Sequence, residues 1–281
     1  MLLCIDVGNT EIAFGLYADG DEDEVRPPLV RDWRLHTEPR MTADELEVAI
    51  GGLLGRRYAE EITGVAALST VPTLLRELKL LVERRDEPSV VVGPGVRTGV
   101  ALLVDNPREV GADRVVSTLA AHRLYDSACV VVDFGTSTNI DVVSAKGEFL
   151  GGVLAPGVEI SMEALARRAA ALRTVELVAP RSVIGKNTVE CLQAGMVFGF
   201  AEQVDGLVRR IRDELDPGPV TVIGTGGLAP LMVGETATIT EHVPDLTLLG
   251  LRLAYLRNVR TTSVTMGNVN APGDVSGRSA K

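Results

Sequence analysis

Two short segments have residues whose types and order suit the binding of an anion. Leu3-Cys4-Ile5-Asp6-Val7-Gly8-Asn9-Thr10 and Val130-Val131-Val132-Asp133-Phe134-Gly135-Thr136-Ser137-Thr138 follow one plan: an apolar strand, an aspartate, a spacer, a glycine, then hydroxyl or amide side chains. A turn directly after a strand presents several backbone N–H groups at one point, and glycine lets a phosphate oxygen approach them closely. Thr10, Thr136, Ser137 and Thr138 add hydroxyl donors and Asn9 adds an amide. An ionised aspartate cannot donate to a phosphate, so Asp6 and Asp133 suit a cation, held directly or through water; Mg²⁺ commonly takes only one or two carboxylates. One such segment alone is more often a plain β-turn. Two copies, with a third glycine turn at Ile223-Gly224-Thr225-Gly226-Gly227, favour a phosphate site. No G-x-x-x-x-G-K-[ST] is present, and the third turn is not G-x-G-x-x-G, which excludes a P-loop and weakens a dinucleotide reading.

Transfer of a phosphoryl group also needs a residue that orients the attacking hydroxyl. Asp113, in the step Gly111-Ala112-Asp113-Arg114 at a helix start, is the candidate base. The plainer alternative is an acid that complements the helix dipole. Arg114 suits a carboxylate on the acceptor, or else a surface ion pair. His36, His122 and His242 are isolated and do not form a metal triad. Gly185-Lys186-Asn187-Thr188 reads locally as a helix N-cap, and Gly151-Gly152 and Pro156-Gly157 as turns.

The elements that must position these residues repeat. Strands are expected at Leu2–Val7, Glu11–Tyr17 and Leu29–Leu35. A helix follows from Ala43, where Thr42 and Glu45 form a capping pair; then come a strand at Gly64–Ser69, a helix at Val71–Arg84 and a strand at Ser89–Val92. After a long connection and a helix at Val115–Tyr125, strands recur at Ala128–Phe134, Ile140–Ser144 and Gly147–Leu154, with helices at Ile160–Leu172 and Asn187–Leu215. A strand at Val220–Ile223 and a helix at Leu246–Asn258 complete the series. The repeat predicts an α/β protein of two duplicated domains, 1–115 and 116–261, with a cleft between them, and a disordered tail over 262–281.

Composition narrows the function classes. The chain has 281 residues and is 46% hydrophobic, enough for two cores. No apolar run approaches the roughly 20 residues that cross a bilayer, and the N-terminus lacks a basic leader, so a cytoplasmic protein is expected. Cys4, Cys129 and Cys191 are far apart and suit buried thiols better than zinc ligands or disulfides. A net charge of −10 with 4% aromatics disfavours a nucleic-acid partner. The same charge means that an anionic ligand must be held by local dipoles and metal.

In order, Asp6-Val7-Gly8-Asn9-Thr10, Gly111-Ala112-Asp113-Arg114, Asp133-Phe134-Gly135-Thr136, Gly151-Gly152-Val153-Leu154-Ala155-Pro156-Gly157 and Gly185-Lys186-Asn187-Thr188 resemble the type III pantothenate kinases, members of the acetate-and-sugar-kinase, actin and heat-shock ATPase superfamily. The resemblance runs to about Asn258. It implies two RNase H-like domains of the actin-like ATPase fold and a homodimer. It also implies transfer of phosphate from ATP to pantothenate, giving ADP and 4′-phosphopantothenate, the first step towards coenzyme A. Carried over residue by residue, Asp6, Val7, Gly8, Asn9, Thr10, Glu11, Ile12, Ala13 and Thr136 contact ATP. Gly111, Ala112, Asp113 and Arg114 contact pantothenate, with Asp113 as base. Asp133 holds a monovalent cation, K⁺ or NH₄⁺, and Thr188 reaches pantothenate from the neighbouring subunit; the chemistry of the turns themselves assigns Asp6 to Mg²⁺, directly or through water.

The chain departs from the family pattern at Asn139, at Val104 (where many members have an aromatic residue), at Arg173 and at Ala169-Ala170. Most of these lie on the acceptor side. They motivate a rival reading, a catalytically silent relative acting as a regulatory or interaction protein, and a third, a kinase of another small hydroxy or carboxylic acid.

Overall fold

The computed structural model describes residues 1–20, 23–169, 172–215 and 218–267. The first half comprises β1 (Leu2–Val7), β2 (Glu11–Tyr17), β3 (Leu29–His36), α1 (Ala43–Ala59), β4 (Gly64–Ser69), α2 (Pro72–Glu83) and β5 (Ser89–Val91). The second comprises α3 (Ala112–Tyr125), β6 (Ala128–Phe134), β7 (Ser137–Val143), β8 (Phe149–Pro156), α4 (Val158–Arg168), α5 (Thr188–Glu214), β9 (Val220–Thr225), α6 (Ala229–Met232), β10 (Glu241–His242) and α7 (Leu246–Gly267). The sheets are ordered β3-β2-β1-β4-β5 and β10-β9-β6-β7-β8. Read from the other edge, the second repeats the first. In each, the first three strands are antiparallel neighbours and the next two pair in parallel.

Strand alternation sorts side chains between the layers. In β1, Leu3, Ile5 and Val7 join a core with Leu46 and Ile50 of α1 and Leu74 and Leu78 of α2. In β6, Val130, Val132 and Phe134 join a second core with Val204 and Val208 of α5. The alternate residues, Leu2 and Cys4 of β1 and Cys129 and Val131 of β6, meet a third core made by α3 and α7. Two helices therefore lie between two sheets. By the same parity, Asp6 and Asp133 fall on the inner faces, at the carboxyl ends of the two central strands.

Local signals explain the helix ends. Thr42 accepts from the Glu45 amide and the Glu45 carboxylate accepts from the Thr42 amide, closing the expected capping box. Pro72 sits in the first turn of α2, where its missing N–H costs nothing. Gly55, at φ +59°, breaks α1. β7 begins at Ser137, earlier than its apolar pattern suggests, because Thr138 and Asn139 pair with Phe134 and Asp133 across the turn. α6 and β10, of four and two residues, are too short to leave a periodic signal. The expected boundary after residue 115 falls inside α3, and α7, from the second half, packs on β1, β2, β4 and β5 of the first sheet. α7 continues to Gly267; the rest of the expected tail lies outside the described residues, as does Ala170. Among the described residues no helix is long and apolar enough to cross a membrane.

The crossing of α3 and α7 is close. A β-carbon at Gly250 would collide with the carbonyl oxygen of Val116 on α3. Gly250→Ala is expected to destabilise the fold by about 1–3 kcal/mol through overpacking, read as a lower urea midpoint. An unchanged midpoint would show that the two helices have slack.

Candidate active site

β1 and β6 end side by side, and a glycine amide closes the turn that follows each, the second turn being one residue shorter. The Gly8 amide donates to the Glu11 carbonyl at 3.0 Å, and the Gly135 amide to the Ser137 carbonyl at 3.1 Å. Hydroxyl residues of both turns meet: Thr10 Oγ1 and Thr136 Oγ1 are 2.7 Å apart. The third glycine turn closes the end of the second sheet. Leu228 N–H donates to the Phe134 carbonyl at 3.1 Å, and Gly226 takes φ +92° beside Asp133. A side chain there would be strained and would strike Asp133 Oδ1 and the Phe134 backbone, so only glycine fits.

These pieces enclose a cleft of about 300 Å³. Asp6, Gly8, Asn9, Thr10, Glu11, Ala13, Asp113, Asp133 and Thr136, all expected at the site, line it together. Val7 and Ile12 are fully buried, with side chains in the outer core of the first sheet. Only their backbone remains available to a ligand. Gly111, Ala112 and Arg114 lie behind Asp113 and do not line the cleft. Arg114 donates through Nε to Asp141 Oδ1 at 2.8 Å and stacks over Phe149 at 5.1 Å, so it is a buried ion-pair partner and not a surface one. Thr188 opens α5, is exposed, and does not line the cleft of its own chain. Val104 is half-buried beside Gly151.

The cleft also contains residues that local motifs did not single out: Arg34, Thr70, Glu159, Asp245 and Thr247. Thr225, Gly226 and Gly227 were visible as a turn but carried no assignment; pairing of β9 with β6 brings them beside Asp133.

Electrostatics set the site apart from an ordinary turn cluster. Burial first, then the charges of Asp113 and Asp133, push the Asp6 carboxyl up to about 7, with Arg34 opposing. Burial, Asp113 and Asp141 raise Asp133 to about 7 as well. Asp113 is raised by burial, while the Arg114 amide and guanidinium hold it down. Burial lifts Asp141 to about 6 against the pull of Arg114. Like charges crowded in a poorly hydrated cleft favour a bound cation. The donors are hard oxygens, which suit Mg²⁺ or a monovalent ion. Among the described residues, no three His, Cys, Asp or Glu converge tightly enough to hold a metal alone.

Comparison with known proteins agrees with this geometry. Residues 2–210 match the sequence pattern of the type III pantothenate kinases. The chain belongs to the type III pantothenate kinase family. A type III pantothenate kinase of Saccharopolyspora erythraea is 70% identical over 92% of this chain and 99% of its own, and one of Rhodococcus jostii is 62% identical over 92% and 96%. Two solved structures share the fold at low identity. They are the Clostridium difficile activator of 2-hydroxyisocaproyl-CoA dehydratase (14% identity, TM-score 0.51, 99% of each chain) and a Thermus thermophilus ROK hexokinase (15%, TM-score 0.50, 92% of this chain and 99% of that one). The chain is thus an α/β kinase of two duplicated RNase H-like domains around a cleft.

The raised carboxylates have a consequence for stability. Asp6 and Asp133 sit near 7 in the folded chain and near 3.8 when free. The folded state therefore binds extra protons between those values, and stability is lost as pH rises through about 7. Without cation the melting temperature should fall between pH 5.5 and 8, and Mg²⁺ should restore it more at pH 8 than at 5.5. Asp133→Asn should flatten the fall; a slope unchanged in that variant would mean Asp133 is not strained.

Proposed function

We propose that the chain phosphorylates pantothenate with ATP by in-line transfer, with Asp113 as general base. The observation that carries this reading is that Asp113 opens into the same cleft as both phosphate turns. As the primary hydroxyl of pantothenate attacks the γ-phosphorus, its proton passes to the Asp113 carboxylate. The new oxygen–phosphorus bond forms as the bond to the β,γ-bridging oxygen breaks. ADP and 4′-phosphopantothenate leave, and the product enters coenzyme A synthesis. Burial gives Asp113 a greater proton affinity than a free aspartate, which suits a base that works near neutral pH.

Asn9, Thr10 and Thr136 hold the phosphates through hydroxyl, amide and backbone donors. Asp6 would hold Mg²⁺, directly or through water, and Asp133 a monovalent cation, K⁺ or NH₄⁺; bound there, the ions neutralise phosphate charge. Gly111, Ala112 and Arg114 support Asp113 from behind, outside the lining of the cleft. At Gly111 a side chain would strike the Asp113 carboxylate, so glycine keeps the base free to turn.

Thr188 serves the site of a neighbouring subunit in a homodimer. Exposed Val183 and Ile184, 69% and 67% accessible, lie just before it and suit a protein interface. The protein works in the cytoplasm. The silent-relative reading is disfavoured by the family membership and by a complete set of phosphate turns, cation carboxylates and base.

The test is ADP release with Mg²⁺ and K⁺, with and without pantothenate. Release only when pantothenate is present is expected; none with any small acceptor would support a silent relative, and release with a different acceptor the third reading. Asp113→Asn should lower kcat about 10²–10⁴-fold, the usual worth of a general base, while ATP affinity is kept. Near-parental turnover in that variant would remove Asp113 from the role.

A further inference from the structure

A triphosphate entering the cleft meets Asp6, Glu11, Asp113, Asp133, Glu159 and Asp245. Among the described residues that line it, Arg34 is the only Lys or Arg. The net charge of −10 offers no help at long range.

Strand register places this arginine opposite the cation-binding end of the site. Asp6 pairs with Ala13 across β1 and β2, and Ala13 with Arg34 across β2 and β3. Residues directly opposite on neighbouring strands share a face of the sheet. Asp6, Ala13 and Arg34 are therefore one row on the face turned to the cleft. With strands ~4.8 Å apart, the acid and the base are about 10 Å apart across a floor that is a single methyl group. That trough has room for phosphoryl oxygens between a carboxylate-held cation and a guanidinium.

Arg34 is also mechanically part of the phosphate turn. Thr37, just beyond β3, donates its amide to the Thr10 carbonyl at 2.9 Å and its hydroxyl to the Gly8 carbonyl at 2.7 Å. On the other face of β3, Trp33 and Leu35 pack on the outer core, and Trp33 meets Tyr58 edge-on. Arg34 thus rides on a rigid strand. Its partner is Glu11, 3.5 Å away, and both side chains are 43% exposed. Such an exposed pair contributes little, whereas a guanidinium can grip a phosphate through two parallel hydrogen bonds.

We infer that Arg34 is a further catalytic residue of the transfer: it leaves Glu11 and places its guanidinium on the γ-phosphoryl group, across Ala13 from Asp6. The inference rests on the reading of the cleft as the ATP site. Glu11 then acts as the resting partner that keeps the arginine extended along the cleft wall.

The experiment compares the parent with Arg34→Ala, Arg34→Gln and Arg34→Lys for turnover, for ATP and AMP affinity, and for melting temperature. Loss of the guanidinium should lower kcat about 10²–10³-fold, as for other lost transition-state donors. ATP affinity should weaken while AMP affinity and melting temperature stay at the parent's values. Arg34→Lys should recover part of the rate, since it keeps the charge without the fork. Arg34→Gln, similar in length and polar, keeps the test open if the alanine variant folds poorly. Parental kcat and ATP affinity in the alanine and glutamine variants would overturn the inference, and so would an equal loss of ATP and AMP binding. A parent that makes no ADP with pantothenate would instead sink the functional reading. The ATP-against-AMP comparison would still decide whether Arg34 meets phosphate.

Discussion

Three carboxylates, Asp6, Asp113 and Asp133, are held in one poorly hydrated cleft, and their burial, with like charge added at Asp6 and Asp133, is the constraint that the rest of the architecture must withstand. No folding gain comes from placing them there, since burial and like charge both raise the two strand-end acids towards neutrality. The cost is carried by the cores on either side. Two central strands, buried on both faces, deliver Asp6 and Asp133, and a helix packed between the sheets delivers Asp113. The strain has a functional meaning. A cleft that cannot satisfy its own charges favours cations and proton donors.

Duplication explains how two of the acids arrive, and its breakdown explains why their surroundings differ. The first half has the row Asp6, Ala13, Arg34; the second, by the same register, has Asp133, Asn139, Leu154. Thus one row ends in a guanidinium beside the phosphate turn and the other in a leucine that is 64% exposed. Asn139 also accepts from the Ser137 hydroxyl at 2.8 Å, which ties down the second turn. The first row has charge complementarity along its length and the second does not. Asp133, for its part, faces Gly135 and Gly226.

Much of this was legible because strand parity is strict. Leu2 to Val7 and Ala128 to Phe134 are apolar on both faces, so the polar residue that interrupts each run marks where the core stops and a ligand begins. The repeated Asp-x-Gly spacing then identified the turns. Arg34 left no such trace, because it lies in the half-exposed strand Leu29–His36 and only cross-strand pairing brings it to Asp6. Arg114 was visible but its partner was not: Asp141 looks like any polar residue in a strand until α3 is laid over β7. β10 is too short to read, and Asp245 becomes a cleft residue only because α7 returns to the first sheet, where Tyr17 donates to it at 3.0 Å.

The placement of Asp113 follows from that same returning helix. Asp113 opens α3, which follows β5 as α7 follows β10, and Asp245, just before α7, lines the same cleft. α3 shares one core with both sheets through Val116, Leu119 and Ala120, and meets α7 where Gly250 removes a side chain. Asp113 is therefore fixed to the same layer that spaces the two strand ends. The Arg114–Asp141 pair completes the attachment, since both side chains are largely buried and breaking such a pair leaves an uncompensated charge inside the protein. Arg114 thus acts on the chemistry from behind. It pins the first turn of α3 to β7, and its amide and guanidinium offset the burial that raises Asp113. The packing of α3 between the sheets thus holds Asp113 at the cleft.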